Sequence, residues 1–173
     1  MHKGVTPECR LTKIAGFKMD KEVEILDEVY NSKDYFLARV DQELKRAQRY
    51  LNFLSYIDID TTRLQKSGEV EFLIQDSEFY KKIKKHIRNC VRQTDIISGF
   101  NNGKICLLLV DTSRKGAEVV KERLRQSIKY FLHEIVSSPL NWRIAIKSES
   151  FPDDEITPNL FYKKISSSLS NKI

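Results

Sequence analysis

Cysteine and histidine are scarce in this sequence, with three of each among its 173 residues. The cysteines, Cys9, Cys90 and Cys106, are widely spaced and odd in number, a pattern that favours reduced thiols over a disulfide framework or a metal cage. Long apolar runs are also lacking, and none approaches the roughly 20 residues that a membrane span requires. The opening stretch, MHKGVTPECRL, has no apolar core of the kind found in signal peptides. We therefore expect a cytoplasmic protein without a membrane segment.

Familiar sets of catalytic residues are missing as well. The sequence contains no phosphate-binding P-loop, and no Ser-His-Asp or Cys-His arrangement can be assigned. His86 and His133 lie in helical stretches without cysteine or acidic residues at metal-ligand spacing, so we expect them to be packing or surface residues. The sequence thus offers no metal site built from histidine or cysteine.

What remains is the composition of a globular domain with a basic excess. Hydrophobic residues make up 40% of the chain and charged residues 31%, and the length fits one domain. Residues 1–23 show no clear periodicity, and we interpret them as an N-terminal arm or linker before a domain at 24–173. The net charge is +6, and much of the excess lies in KKIKKHIRNCVR, residues 81–92. This stretch either attracts a phosphate-bearing partner or forms the solvated face of a helix; no aromatic residues interleave its cations, which argues against nucleic acid.

Hydrophobic periodicity predicts alternating helices and strands. Apolar residues recur at helical spacing after Asp34, which we assign as an N-cap, and again over Ser77–Arg92. Between these helices LNFLSYIDID is typical of a buried strand, and the polar segment behind it is hard to assign. In GFNNGKICLLLV, the pair Asn102-Gly103 favours a two-residue β-turn and predicts a hairpin. The order helix, strand, helix, hairpin, helix, strand, helix predicts an α+β fold, a ferredoxin-like mixed sheet of about five strands with flanking helices.

Several stretches, in this order, resemble one known family. EILDEVYNSKDYF is similar to that family's opening motif D-x-L-T-G-L-x-N-x-x-x-F, SYIDID to its D-x-D strand, and VRQTDIISGFNNGKICLLLVDT to its signature region. AIKSESFPDD is similar to its closing strand and proline turn. Over residues 24–165 the chain resembles the GGDEF family, the domain of diguanylate cyclases, which join two GTP molecules into cyclic di-GMP. The resemblance implies a nucleotidyl-cyclase-like fold in a bacterial signalling protein.

The family's signature is replaced in this chain. In place of Gly-Gly-Asp/Glu-Glu-Phe it carries the segment that we call the signature turn: Asn101, Asn102, Gly103, Lys104 and Ile105. In the family, the first acid of the D-x-D strand and an acid of the signature bind metal ions that bridge the GTP phosphates. Lys104 places a cation where an anion belonged. The resemblance therefore implies no catalytic residues, no metal site and no cofactor, with magnesium relevant only if residual catalysis exists.

Three residues remain of the family's metal and phosphate site. Asp58 corresponds to the first acid of the D-x-D strand, and Asp60, two residues on, points to the same face. Arg63 takes the position of a phosphate-binding lysine. Magnesium prefers several hard oxygen ligands, so Asp58 alone is a poor metal site and we interpret the three residues as vestigial. A residual cyclase acting on GTP through them is the less favoured alternative.

A second family site is retained. Many cyclases bind their own product at an R-x-x-D motif, which here is Arg92-Gln93-Thr94-Asp95, with a further arginine from the next helix that corresponds to Arg123. A guanidinium stacks on a purine and pairs with its Hoogsteen edge or with a phosphate, and a carboxylate accepts from the guanine N–H groups. The alternative is that Arg92 and Asp95 form only a surface ion pair.

Two main hypotheses for function follow. The first is a catalytically inactive GGDEF-like signalling module that binds cyclic di-GMP through Arg92, Asp95 and Arg123. The second is a ligand-free interaction or dimerisation domain, in which the basic helix and residues 1–23 contact a protein partner or a second copy of the chain. Neither hypothesis includes a nucleic acid or a membrane as a partner.

Overall fold

The structure is a computed structural model that describes residues 28–66, 77–100, 103–136, 142–153 and 155–170. The predicted arm at residues 1–23 and the predicted start of the domain at residue 24 lie outside this description. Of the described helices, none is both long and apolar enough to cross a membrane. Cys90 and Cys106 are buried free thiols, as the cysteine spacing predicts, and Cys9 is not described.

Helices and strands follow one another in the predicted order. The helices are α1 (Lys33–Tyr50), α2 (Ser77–Asn89), α3 (Arg114–Val136) and α4 (Pro158–Ser170). The strands are β1 (Leu54–Lys66), β2 (Ile96–Phe100), β3 (Lys104–Val110) and β4 (Trp142–Phe151).

The described strands form one sheet in the order β2-β3-β1-β4, and every neighbouring pair is antiparallel. This order is that of a ferredoxin-like β-α-β-β-α-β unit, which confirms the predicted architecture. The prediction of a mixed sheet of about five strands is wrong in detail for the described chain, which has four. Each helical crossover passes over one strand: α2 carries the chain from β1 past β3 to β2, and α3 carries it from β3 past β1 to β4. Parallel strands therefore never become neighbours.

The sheet buries a hydrophobic cluster on each face. Because side chains alternate along a strand, Ile57 and Ile59 of β1 face α2 and α3, whereas Leu54 and Tyr56 face α1 and α4. Complete burial of one such side chain contributes about 1.5 to 3 kcal/mol. A one-residue slip of β1 would exchange the two sets, so the clusters fix its register against β3 and β4. The contacts of two helices come from the predicted apolar stripes: Phe36, Val40, Leu44 and Ala47 on α1, and Ile83 and Ile87 on α2. α3 contributes Leu124, Ile128 and Leu132.

The β2–β3 hairpin is present, but its loop differs from the predicted two-residue turn. Phe100 pairs with Lys104, which leaves three residues between the strands. Gly103 has φ 75°, the left-handed conformation that closes a three-residue hairpin loop and that glycine adopts without a steric penalty. The Thr61 backbone N–H donates to the Gly103 carbonyl at 3.0 Å, which ties the loop to β1. Asn101 and Asn102 lie outside the described residues.

Several predicted boundaries shift by a few residues. α1 begins at Lys33 with Ser32 as its N-cap, so the assignment of Asp34 as the cap is wrong; Asp34 lies in the first turn, where an acid favours the helix dipole. β1 continues through the polar segment to Lys66, with a register irregularity after Asp60. α2 ends at Asn89, three residues before the predicted end.

Candidate functional site

The acidic residues of β1 meet the signature turn at the start of β3. Asp60 is the register partner of Lys104, and Asp58 pairs with Cys106, the next residue of β3 on the same face. Because residues two apart on a strand share a face, Asp58, Asp60 and Lys104 all lie on the side of the sheet that α1 and α4 cover. The structure thus brings together three of the residues that the sequence singles out.

Asp58 is held by a cation and by the last turn of α4. Its carboxylate is buried, and Oδ2 accepts a hydrogen bond from the Ser168 hydroxyl. The Lys104 ammonium lies 3.9 Å from the same oxygen and donates to the Ser168 carbonyl at 2.5 Å. Asp58 Oδ1 is buried and has no hydrogen-bond partner within the described chain. The sequence does not identify Ser168 as a partner of Asp58, because nothing in it predicts which turn of α4 packs against β1.

These residues do not fit the magnesium ion that the fold family implies. The donor set is the buried Asp58 carboxylate and Asp60 two residues further along β1, with an ammonium group 3.9 Å from Asp58. Two unit charges about 4 Å apart interact by roughly 1 to 4 kcal/mol, and a divalent ion would be repelled by about twice that amount. In the described ranges, no group of three or more His, Cys, Asp or Glu side chains is placed to hold a metal ion. The described residues therefore do not provide a magnesium site of the kind that the fold family implies.

Beside Asp58 lie two buried groups that are uncharged in their ordinary protonation states, Tyr56 and Cys106. Tyr56 and Cys106 share a hydrogen bond, with 3.1 Å between the hydroxyl oxygen and Sγ. Burial raises the pKa of both groups well above its ordinary value, and the Asp58 charge adds to both shifts. The Cys106 thiol therefore stays protonated and is not a nucleophile.

Arg63 of the predicted vestigial site and the other residues of the signature turn contribute less to the described geometry. Ile105 is fully buried on the opposite face of the sheet, in the cluster under α2 and α3. Arg63 lies in β1, but its side chain is outside the description, as are Asn101 and Asn102. Gly103 has no side chain and contacts Thr61 through its carbonyl oxygen.

The R-x-x-D motif forms a tight turn between α2 and β2. Asp95 Oδ2 accepts from the Arg92 backbone N–H at 2.9 Å, and the Asp95 N–H donates back to the Arg92 carbonyl at 3.1 Å. Asp95 thus contacts the Arg92 backbone, which differs from the surface ion pair considered as an alternative. The Arg88 guanidinium donates to the carbonyls of Asp95 at 2.7 Å and of Arg92 and Gln93 at 3.1 Å. Hydrogen bonds from the side chains of both Asp95 and Arg88 therefore stabilise the turn.

Asp95 is the buried member of this turn. It is 6% exposed, and its Oδ1 atom has no hydrogen-bond partner within the part of the chain that is described. Burial raises the pKa of Asp95, while the Arg92 N–H and the charges of Arg92 and Arg88 act in the opposite direction. The Val110 backbone also acts to lower this pKa, so Asp95 is stabilised from β3 as well as from its own turn.

Arg123 reaches the same turn from α3. Its Nη2 atom donates to the Cys90 carbonyl at 2.9 Å, two residues before Arg92 along the chain. Arg92 and Arg123 are both exposed. The structure therefore places the three residues of the predicted second site around one turn, with two exposed guanidinium groups and one buried carboxylate.

A separate cavity of about 530 Å³ lies between α3, β4 and α4. Three of its basic side chains form ion pairs with acidic side chains that line the same cavity. Arg114 pairs with Asp153 at 2.8 Å, and Lys164 pairs with Glu149 at 2.9 Å. Lys121 pairs with Glu118 of its own helix. This cavity therefore offers little unbalanced charge for a ligand.

Several solved protein structures are similar in fold to this chain. No family model and no curated protein matches the chain. A DGC protein from Thermotoga maritima is 19% identical with a TM-score of 0.58, over 82% of this chain and 96% of that one. The active GGEEF domain of a diguanylate cyclase from Vibrio cholerae is 15% identical with a TM-score of 0.57, over 81% and 88%. The diguanylate cyclase SiaD from Pseudomonas aeruginosa, solved in complex with its activator SiaC, is 17% identical with a TM-score of 0.55, over 88% and 63%. These similarities confirm the fold that the sequence resemblance implies.

Proposed function

We propose that this chain, which has the fold of GGDEF diguanylate cyclase domains, is a catalytically inactive signalling module that binds cyclic di-GMP at Arg92, Asp95 and Arg123. The observation that carries the first half of the proposal is the Lys104 ammonium, 3.9 Å from the Asp58 carboxylate. The observation that carries the second half is the convergence of Arg92, Asp95 and Arg123 on one turn.

The charge of Lys104 supports the loss of catalysis. Phosphoryl transfer in this family uses metal ions to neutralise the charge that develops on the phosphates. In this chain an internal cation already compensates Asp58, and Ser168 takes up one oxygen of the carboxylate. GTP would thus meet a buried ion pair where the family offers acidic metal ligands.

The chemistry of the turn supports recognition of a guanine dinucleotide. Arg92 and Arg123 present planar guanidinium groups that can stack on a purine or pair with a phosphate. The carboxylate of Asp95 can accept from the guanine N1–H and amino groups, as acids do from other base amino groups. The basic residues of α2, which include Lys85, add a favourable field for a dianionic ligand.

Calorimetric titration of the chain with cyclic di-GMP tests this proposal. We expect saturable binding that is weakened at least about tenfold by Arg92→Ala and by Arg123→Ala, because each removes a charge-assisted hydrogen bond of about 1.5 to 3 kcal/mol. Arg125→Ala is the matched control: it removes an arginine from α3 that pairs with Glu122, and we expect unchanged affinity. Absence of heat from the wild-type chain, or equal affinity in all variants, would contradict the proposal.

One observation favours a protein-interaction role as the second candidate. Tyr50, Leu51 and Phe53, at the end of α1, are 62%, 87% and 46% exposed. Exposed apolar residues that lie together mark interaction surfaces more often than isolated ones do. A dimer detected by light scattering that Leu51→Lys dissociates, and that cyclic di-GMP does not affect, would favour this role over ligand binding.

A further inference from the structure

β4 forms one edge of the described sheet, with β1 as its neighbour on the inner side. The opposite edge is covered in part, because the Gly99 backbone N–H of β2 donates to the Asn31 side chain at 2.9 Å. Within the described ranges, no hydrogen bond from an element other than β1 reaches the backbone of β4. β4 is ten residues long. An open edge of this length presents N–H and C=O groups that can pair with a further strand.

The cavity of about 530 Å³ between α3, β4 and α4 runs along this edge. Four consecutive residues of β4, 147–150, line it. Because successive side chains of a strand point to opposite faces of the sheet, a cavity that contacts all four lies beside the strand rather than over one face. Residues of α3 and α4 form its walls. The space beside β4 therefore has the position that an additional extended strand would take.

Lys147 and Glu149 place opposite charges two residues apart on β4. They share the face of the sheet that α4 covers, because Ile144 and Ile146 lie on the other face under α3. Lys147 is exposed and forms no ion pair with a described residue, whereas Glu149 pairs with Lys164 at 2.9 Å. The edge strand thus carries a cation without a described counter-charge and, two residues further along, an acid.

This pattern of charge is self-complementary. When two copies of β4 lie antiparallel with Ser148 opposite its counterpart, Lys147 of each copy lies opposite Glu149 of the other. Opposite charges directly across an antiparallel pair are stabilising, and like charges there are destabilising. Side chains opposite each other share a face, so the two adjacent registers centre on Lys147 or on Glu149 and bring like charges together. The sequence of the edge therefore favours the register centred on Ser148 over its neighbours.

We propose that β4 pairs with β4 of a second copy of this chain across a two-fold axis at Ser148, which joins the two four-stranded sheets into one. Each copy contributes the same strand, as in other isologous dimers. The surface differs from the exposed apolar residues at the end of α1, and the pairing does not depend on a dinucleotide. The proposal therefore goes beyond the proposed function.

Light scattering of the whole chain over a range of concentrations tests this interface. We expect a dimer whose dissociation constant rises at least about tenfold in Lys147→Glu, because two attractive cross-strand pairs become repulsive. Lys163→Glu is the matched control, since it makes the same charge change at an exposed lysine of α4 that does not line the cavity. Its dissociation constant should stay within about twofold of wild type, and circular dichroism establishes that each variant is folded.

A charge exchange distinguishes direct pairing from a general effect of net charge. The double variant Lys147→Glu with Glu149→Lys again places opposite charges across the register centred on Ser148. It should therefore dimerise more tightly than either single variant. Hydrogen exchange should also show more protected amides in β4 of the wild-type dimer than in β4 of Lys147→Glu, because the dimer adds backbone hydrogen bonds along the edge.

Two results would overturn the proposal. One is a wild-type chain that stays monomeric at every concentration. The other is a dimer that Lys147→Glu leaves intact, including a dimer that Leu51→Lys dissociates through the end of α1. Neither result bears on binding of cyclic di-GMP, which calorimetry measures separately.

Discussion

At the scale of single residues, the charge on Lys104 determines what Asp58 can bind. The two side chains are 11% and 10% exposed, so neither is well solvated. Ser168 completes the arrangement by donating to Asp58 through its hydroxyl and accepting from Lys104 through its carbonyl. Groups of the chain itself thus stabilise the carboxylate.

Removal of the ammonium should therefore destabilise the fold. We expect Lys104→Met to lower the free energy of unfolding by roughly 3 kcal/mol, because it leaves a buried carboxylate without its cation. Denaturant unfolding monitored by circular dichroism measures this change. The control is the double variant Lys104→Met with Asp58→Asn, which removes both charges and should recover part of the loss. A single variant as stable as the wild type would show that the pair does not stabilise Asp58.

At the scale of elements, the α2–α3 interface contains a histidine in a half-buried setting. The His86 ring stacks on Phe131 with 4.6 Å between ring centroids, and its Nε2 atom lies 2.8 Å from the Ser127 hydroxyl. Burial lowers the pKa of His86 below its ordinary 6.5, although the Ser127 carbonyl and the Glu134 charge oppose the shift. His86 is thus a packing residue of the two crossover helices, as the sequence predicts.

This interface predicts a dependence of stability on pH. Because the folded state holds the pKa of His86 below that of the unfolded chain, the unfolded state binds more protons as the pH falls through 6.5. The stabilisation is complete above that pH and declines below it. As the pH is lowered from about 7.5 to about 5.5, through the ordinary histidine pKa of about 6.5, the free energy of unfolding should fall less in His86→Gln than in the wild type. A slope in His86→Gln identical to that of the wild type would contradict the assignment.

At the scale of the whole molecule, the two candidate sites lie at opposite ends of one strand. The R-x-x-D turn precedes β2, and the signature turn follows it. A strand of five residues spans roughly 16 Å, so the lost acids are remote from the turn that is proposed to bind ligand. Catalysis and recognition can therefore be separated in this fold, and loss of the first does not require loss of the second.

Local patterns in the sequence predict the order of elements and the two buried faces, because periodicity reports which side of each element is apolar. They also predict the buried free thiols of Cys90 and Cys106. Periodicity does not reveal which elements become neighbours, so the sequence does not predict the contact of Ser168 with Asp58. The sequence does not distinguish the three-residue hairpin loop from the predicted two-residue turn, because a glycine with positive φ fits both.

The most direct test of the central claim is incubation of the chain with GTP and Mg²⁺ or Mn²⁺, followed by chromatography of the nucleotides. We predict no cyclic di-GMP above a control without protein, because the Lys104 ammonium repels the divalent ions that the reaction needs. Formation of cyclic di-GMP that disappears in the Asp58→Ala variant would contradict the account.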